Sequence, residues 1–235
     1  MTRSAHPADD DVVVVAGGTG LVGGAVVTAL RARGQRVVVP SRQEVVRADD
    51  DGLRVVTVAS WRDPHELVQA LAEPGWRPRA AVAAIGGWWL GPELVDLDPG
   101  AWDAVVASHL TGHFLAARAL APLLGGHDPA YVLLNGAAAS EPMARSGPVS
   151  VTGAGQRMLL EVLRAESLGR RVRFHEVDVR VSVAGDRRNV DPERTVPVAR
   201  VAAAVLHVLD APGAAAVVPV EPDLPDRSAA RADVR

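Results

Sequence analysis

The sequence predicts an α/β domain: a doubly wound parallel sheet of about seven strands with helices on both faces. Three observations predict it. Short apolar runs of strand length alternate with longer stretches of helical periodicity along the chain, the signature of βαβ units. The runs are continuously apolar and Val-rich, as expected of strands covered on both faces. The chain, at 235 residues, suits one domain with its own core.

Strands are predicted at Val12–Ala16, Arg36–Val39, Leu53–Val58, Ala80–Ile85, Ala130–Leu134, Val172–Val177 and Ala215–Val220. Between them apolar positions recur at helical spacing over Leu21–Arg33, Ala101–Leu124, Met158–Leu168 and Val196–Leu209. Asp63-Pro64-His65-Glu66 and Asp98-Pro99 read as helix starts, a capping carboxylate followed by proline in the first turn. Gly34 and Gly169 stand where two helices should stop. The polar, acidic residues 1–11 are expected to be a flexible N-terminus without a secretory leader, and residues 221–235 a disordered tail, which leaves 12–220 as the domain. The run Asp49-Asp50-Asp51-Gly52 reads as a solvated loop.

Composition excludes several chemistries. There is no cysteine, so disulfides, thiolate nucleophiles and cysteine-bound zinc are closed. All 25 basic residues are arginine, so no step can use a lysine ammonium. A net charge of −3 gives no electrostatic reason to expect nucleic acid. No apolar run approaches the roughly 20 residues that span a bilayer, and the chain is expected in the cytoplasm. No metal site is expected.

The most specific motif follows the first strand. Val12-Val13-Val14-Val15-Ala16 runs into Gly17-Gly18-Thr19-Gly20-Leu21-Val22-Gly23, with Gly17, Gly20 and Gly23 spaced G-x-x-G-x-x-G. The first glycine permits the turn, the second lets the main chain approach a pyrophosphate, and the third lets helix pack close to strand. The phosphates would lie on the free N–H groups at the helix start, in a Rossmann-type dinucleotide-binding domain. The second strand ends Val39-Pro40-Ser41-Arg42. Ser41 stands where an acid would hold the adenosine ribose, and Arg42 can fork onto a 2′-phosphate, so NADP(H) is preferred over NAD(H).

From Val12 to about Val220 the chain resembles the short-chain dehydrogenase/reductase family. The glycine spacing is that of its extended and atypical branches; length, strand order and the closing strand Ala216-Val217-Val218-Pro219-Val220 resemble its main single-domain branch. Asp103 to Phe114 looks like the family's long dimer-forming helix, with Leu110-Thr111-Gly112 matching its N-L-T-G segment. The resemblance implies a Tyr as general acid or base, a Lys that lowers its pKa and holds the ribose, a Ser that orients the carbonyl and an Asn supporting a water relay. None of the four stands here. His109 occupies the Asn position and Gly136, after Asn135, the Ser position; Tyr becomes Val151 or Thr152 and Lys becomes Gly155 or Gln156, depending on a one-residue shift. The only tyrosine, Tyr131, begins a strand and should be remote. Only Gly86 survives of the stretch after the fourth strand, Ser60 replaces the acid that contacts adenine, and the proline-glycine after the sixth strand is Val179-Arg180. The loop Arg180–Arg194 is polar and short, which argues against a large lid.

The site expected from these residues joins Gly17 to Gly23, Ser41, Arg42, Ser60 and Gly86 at the cofactor with Trp88, Trp89, Gly136 and Val151 around substrate. His109 is the candidate proton donor; its other reading is a helix histidine bonded to nearby backbone. His113 lies at an oligomer surface or packs between helices. Trp88 and Trp89 floor a substrate pocket, plug it, or form a subunit contact. Ser140, Glu141 and Ser146 are loop residues with no base beside a serine, so a hydrolase is not indicated. Three functions follow: an NADP(H)-dependent oxidoreductase acting on a small carbonyl, enone or quinone through a non-standard site; an inactive cofactor-binding or partner subunit; and a non-redox isomerase or cyclase. A homodimer or homotetramer is expected through the helix containing His109 and the helix following Gln156.

Overall fold

A computed structural model describes residues 12–43, 50, 52–186 and 194–222. The expected flexible N-terminus and the tail beyond Pro222 lie outside the described residues. The elements are β1 (Val12–Ala16), α1 (Leu21–Ala32), β2 (Arg36–Ser41), β3 (Leu53–Thr57), α2 (His65–Ala72), β4 (Pro78–Ala83), α3 (Pro99–Val106), α4 (Gly112–Leu120), β5 (Ala130–Gly136), α5 (Gly147–Ala165), β6 (Arg173–Val179), β7 (Ser182–Val183), β8 (Thr195–Val196), α6 (Val198–Asp210) and β9 (Val217–Val220).

Seven strands form one parallel sheet in the order β3-β2-β1-β4-β5-β6-β9, as the sequence predicts. The order reverses between β1 and β4, the switch point where the carboxyl ends of strands open a crevice. Alternate strand residues supply two cores. On one face Val13, Val15, Val37 and Val132 meet Val26 and Leu30 of α1 and Val205 and Leu209 of α6. On the other, Val12, Val14, Tyr131 and Leu133 meet Leu67, Leu120 and Leu160. Burial on both faces accounts for the unbroken Val runs.

The structure corrects several expected boundaries. α2 begins at His65 with Pro64 as its cap and no side-chain cap bond, because Asp63 is held in a turn by its N–H to Ser60 O (3.1 Å). At α3 the prediction holds: Pro99 opens the helix and Asp98 accepts from Ala101 N at 3.0 Å. α3 and α4 are one rod joined by a wide turn of π type, Ala107–Thr111. α5 starts at Gly147, not near Met158, and ends at Ala165, with Gly169 in the short turn after it. Its early glycine turns are fixed from outside: a Cβ on Gly153 would stand 3.1 Å from Ala139 Cα, and one on Gly155 3.1 Å from Leu110. β5 and β6 each run two residues past the predicted end, and the connection after β6 contains a short parallel pair, β7 with β8. Asp50 uses its carboxylate locally, accepting from Gly52 N (2.8 Å) and Leu53 N (2.7 Å) and pairing with Arg31; these backbone bonds, Gly52 first, hold its pKa below the usual carboxylate range.

Candidate functional site

A cleft of about 890 Å³ lies along the carboxyl ends of β1, β4, β5 and β6. Its volume falls within the range of small-molecule sites.

At one end stands the glycine turn. Gly17 has φ +81°, and a Cβ there would meet Ala84 O at 2.1 Å; a Cβ on Gly23 would meet Gly17 O at 2.1 Å. The turn and the close helix–strand approach therefore both require glycine. Gly18 is buried against Val39, whereas Thr19, Gly20 and Leu21 are exposed. Gly20, at the helix cap, brings no side-chain acceptor, and the first turn of α1 has no acid. By helix geometry the N–H groups of Leu21, Val22 and Gly23 lack partners in a preceding turn. Gly20 to Gly23 line the cleft, so this end fits an anion such as a diphosphate.

Ser41, Arg42 and Ser60 sit at the same carboxyl edge, where β2 and β3 end, but do not line the cleft. Ser41 is buried, its hydroxyl engaged with the backbone of Gln43 (2.7 and 3.2 Å). Arg42 is exposed, and Ser60 Oγ accepts from Arg62 N at 3.2 Å. Of the three, Arg42 alone offers an uncommitted charged side chain to solvent at this edge.

The middle of the cleft is built by the exit of β4. Gly86 has φ +95°, and a Cβ there would stand 2.8 Å from the His109 ring. His109, in the π turn, contacts Gly87 O through Nε2 at 2.7 Å and Ser108 Oγ through Nδ1 at 2.8 Å. Gly87 N–H also donates to Nε2 (3.2 Å) and the Ser108 hydroxyl donates to Val105 O (3.1 Å), so the ring is held in place in either tautomer. His109 lines the cleft, but with its ring committed to backbone. One turn on, His113 is fully buried and donates from Nε2 to Ile85 O at 3.1 Å, while Nδ1 has no partner among the described residues. It thus packs between helix and sheet and is not at an oligomer surface. Burial, and to a lesser degree the nearby His109, push its pKa down to about 4.

That shift gives a stability prediction. The unfolded chain takes up the His113 proton near its ordinary value of about 6.5, while the folded chain does so only near 4. The contribution is thus complete above about pH 6.5 and is lost as pH falls towards 4, on the order of 3 kcal/mol in all. Urea unfolding of wild type and His113→Gln between pH 7 and pH 4 is expected to converge as the wild type loses this share. Parallel pH curves would contradict it.

Of the two tryptophans only Trp88 lines the cleft, with an indole N–H that finds no partner among the described residues. Trp89 turns away over Gly91, and its carbonyl accepts from Ser146 Oγ at 2.8 Å. At the end of β5, Gly136 and Asn135 line the cleft, and Asn135 ties strand to helix by donating to Gly153 O at 3.0 Å. α5 orients its degenerate segment clearly. Val149, Gly153 and Gln156 face the cleft; Thr152 is buried among them with its hydroxyl bonded to Pro148 O at 2.8 Å. Val151, expected at the substrate, points outward at 49% exposure. Thr152 and Gln156, one turn apart, are both buried, so they are the inward pair. Gln156 is buried and has no hydrogen-bond partner among the described residues. Tyr131 is buried in the sheet five residues before Gly136, about 16 Å along the strand, and burial pushes its phenol pKa up.

Sequence reasoning missed the charged network at the end of β6. Glu176 and Asp178, both buried, share one strand face. Arg157 of α5 grips Glu176 with Nε (3.0 Å) and Nη2 (2.6 Å) and reaches Asp178 at 3.3 Å. These carboxylates raise the Arg157 pKa, the Glu176 hydrogen bond foremost. Arg180, at the cleft wall, donates from Nε to Asp178 at 2.8 Å. The signal was present: Glu176 and Asp178 alternate with valines along the strand, and Arg180 continues the spacing just after it.

Comparison with known proteins places this architecture. Residues 13–88 match the NAD dependent epimerase/dehydratase family. A short-chain dehydrogenase from Burkholderia cenocepacia J2315, solved in complex with NADP, is 23% identical with a TM-score of 0.77, over 91% of this chain and 89% of that one. A short-chain dehydrogenase from Streptomyces avermitilis is 18% identical at a TM-score of 0.76, over 91% and 89%. Serine dehydrogenase from Escherichia coli is 17% identical at 0.73, over 90% and 97%. No curated protein matches the sequence. At these identities the likeness is one of fold: the chain is built as the short-chain dehydrogenases/reductases are built, on a single Rossmann-type domain. Among the described residues no helix is long and apolar enough to cross a membrane.

Proposed function

We propose that this chain binds NADP(H) with its diphosphate at the start of α1 and its nicotinamide in the cleft, and passes hydride to a small carbonyl, enone or quinone through a non-standard site. The observation that carries this reading is the open cleft running from the uncapped start of α1 to the ends of β4, β5 and β6. The cofactor supplies the hydride chemistry when bound, and the protein's part is binding, orientation and exclusion of water. Arg42 is assigned to the adenosine 2′-phosphate. Charge-assisted hydrogen bonds are worth about 1.5–3 kcal/mol, so Arg42→Ala is expected to weaken NADPH binding about tenfold to a hundredfold and leave NADH unchanged. Calorimetry with both cofactors measures this; equal losses would reject the assignment.

Turnover is tested by following NADPH absorbance against a panel of quinones, enones and ketones, repeated with His109→Ala. Consumption of NADPH is the expected result, and failure to bind either nicotinamide cofactor at millimolar levels sinks the reading. A second reading, an inactive cofactor-binding or partner subunit, is favoured by the committed hydroxyl of Thr152 and by the neutral amide of Gln156 at the lysine position. Tight NADPH binding without turnover on any substrate would support it.

We also propose self-association through the outer faces of α4 and α5, where Phe114, Val151, Met158 and Val162 are exposed. Light scattering of the purified chain should give the mass of a dimer or tetramer, and a monomer would refute it. Cytoplasmic residence belongs to the same proposal.

A further inference from the structure

The geometry points to a second anion-binding position in the cleft, at Arg180, that receives an oxyanion, most simply a carboxylate on the substrate. The inference rests on the cleft being the binding site proposed above, though not on the identity of the cofactor.

Arg180 follows β6 directly and lines the cleft. Its backbone is pinned to the neighbouring strand by its N–H to Val220 O at 3.0 Å. Its side chain is splinted from below, with Nε donating at 2.8 Å to Asp178 Oδ2. Asp178 is fully buried and is itself held by Arg157 at 3.3 Å, which is anchored on Glu176. A guanidinium carries five N–H donors in a rigid fork. One is spent on Asp178, and the carboxylate of Glu221 lies 3.9 Å from Nη1, beyond hydrogen-bond reach. The remaining donors have no hydrogen-bond partner among the described residues, on a side chain 41% exposed. Gln156, next to Arg157 in α5, lines the same cleft and adds an unpartnered, buried amide.

A plain counter-ion for Asp178 would need only the Nε contact. Here that contact fixes the orientation of a fork whose other edge makes no hydrogen bond among the described residues and meets the Glu221 carboxylate only at 3.9 Å, which leaves it able to bind carboxylate or phosphate with two parallel bonds. Trp88 on the cleft wall suits a flat group attached to the oxyanion. Because the cofactor's diphosphate is also an oxyanion, the two sources must be separated by experiment.

The probes are benzoate, inorganic pyrophosphate and NADP⁺, titrated calorimetrically into wild type, Arg180→Gln, Arg180→Lys and Asp178→Asn/Arg180→Gln. The double variant removes the pair together, leaving no carboxylate stranded if the single variant fails to fold; Arg180→Lys keeps the charge beside Asp178 but not the fork. Expected is that benzoate binds the NADP⁺-saturated wild type, at least tenfold more weakly the two glutamine variants, and to an intermediate extent Arg180→Lys, with NADP⁺ affinity changed less than threefold. If NADP⁺ and pyrophosphate weaken tenfold instead, the position stands with the cofactor's diphosphate as its occupant. If wild type binds no NADP⁺ while benzoate or pyrophosphate still depends on Arg180, the cofactor reading falls and the anion position survives. Equal affinities of wild type and all variants for all three probes, or no binding of any probe to wild type, would overturn the inference.

Discussion

Gly23→Ala is expected to cost about 3 kcal/mol of stability, the upper end of ordinary overpacking, and to abolish measurable NADP(H) binding. The added methyl would stand 2.1 Å from the carbonyl oxygen of Gly17, a backbone atom with nowhere to retreat, since Gly17 is itself packed against Ala84. Relief requires α1 to slide away from β1, which moves the very N–H groups assigned to the diphosphate. Gly20→Ala is the contrasting variant: its methyl would meet only Gly17 O at 3.3 Å, so the fold should persist while ligand approach suffers. Urea unfolding and NADPH calorimetry on the two variants separate structural from ligand-facing glycine. Wild-type stability for Gly23→Ala would show that the turn is not packed as described.

Arg157→Met is expected to destabilise the fold by about 3–5 kcal/mol, the cost of stranding a buried charge by removing its partner, towards the lower end because Arg157 is 28% exposed. Glu176 is 1% exposed and Asp178 fully buried; without Arg157, Glu176 loses its bidentate partner and Asp178 retains only Arg180. Replacing Glu176 as well should recover most of the loss, since exchanging a whole buried pair for apolar groups is often close to neutral. A double-mutant cycle by urea unfolding measures the coupling. Additive effects of Arg157→Met and Glu176→Met would mean that the two do not act as a pair.

What could be read from the sequence, and what could not, follows from where the determining forces lie. β1 and its glycine turn were legible because local signals agree: an unbroken valine run, then glycines whose spacing reflects contacts within a few residues. The start of α5 was not. Residues 147–157 contain three glycines, each about 1 kcal/mol worse than alanine in a helix, and they are helical because Ala139 and Leu110 press on them from distant parts of the chain. That long-range packing also decides which residues face the cleft, so Val151 and Thr152 could not be separated until the helix was in place. The tryptophan pair shows the same limit: Trp88 and Trp89 are equivalent in sequence, but only Trp88 turns to the cleft, while Trp89 lies over Gly91. The β6 network was missed for another reason. Ending that strand at Val177 cut Asp178 off from Glu176 and set Arg180, the first residue after β6, further into a loop, and their alternation then lost its meaning.

The cleft draws its two ends from separate connections, the β1–α1 turn on one side and the exits of β4, β5 and β6 on the other. The end assigned to the diphosphate and the middle of the cleft can therefore change by separate substitutions. Replacing residues of α5 leaves the packing of the glycine turn in place, because Gly17 rests on Ala84 and Gly18 on Val39. The middle of the cleft can thus be rebuilt from α5 and the strand exits without disturbing the start of α1.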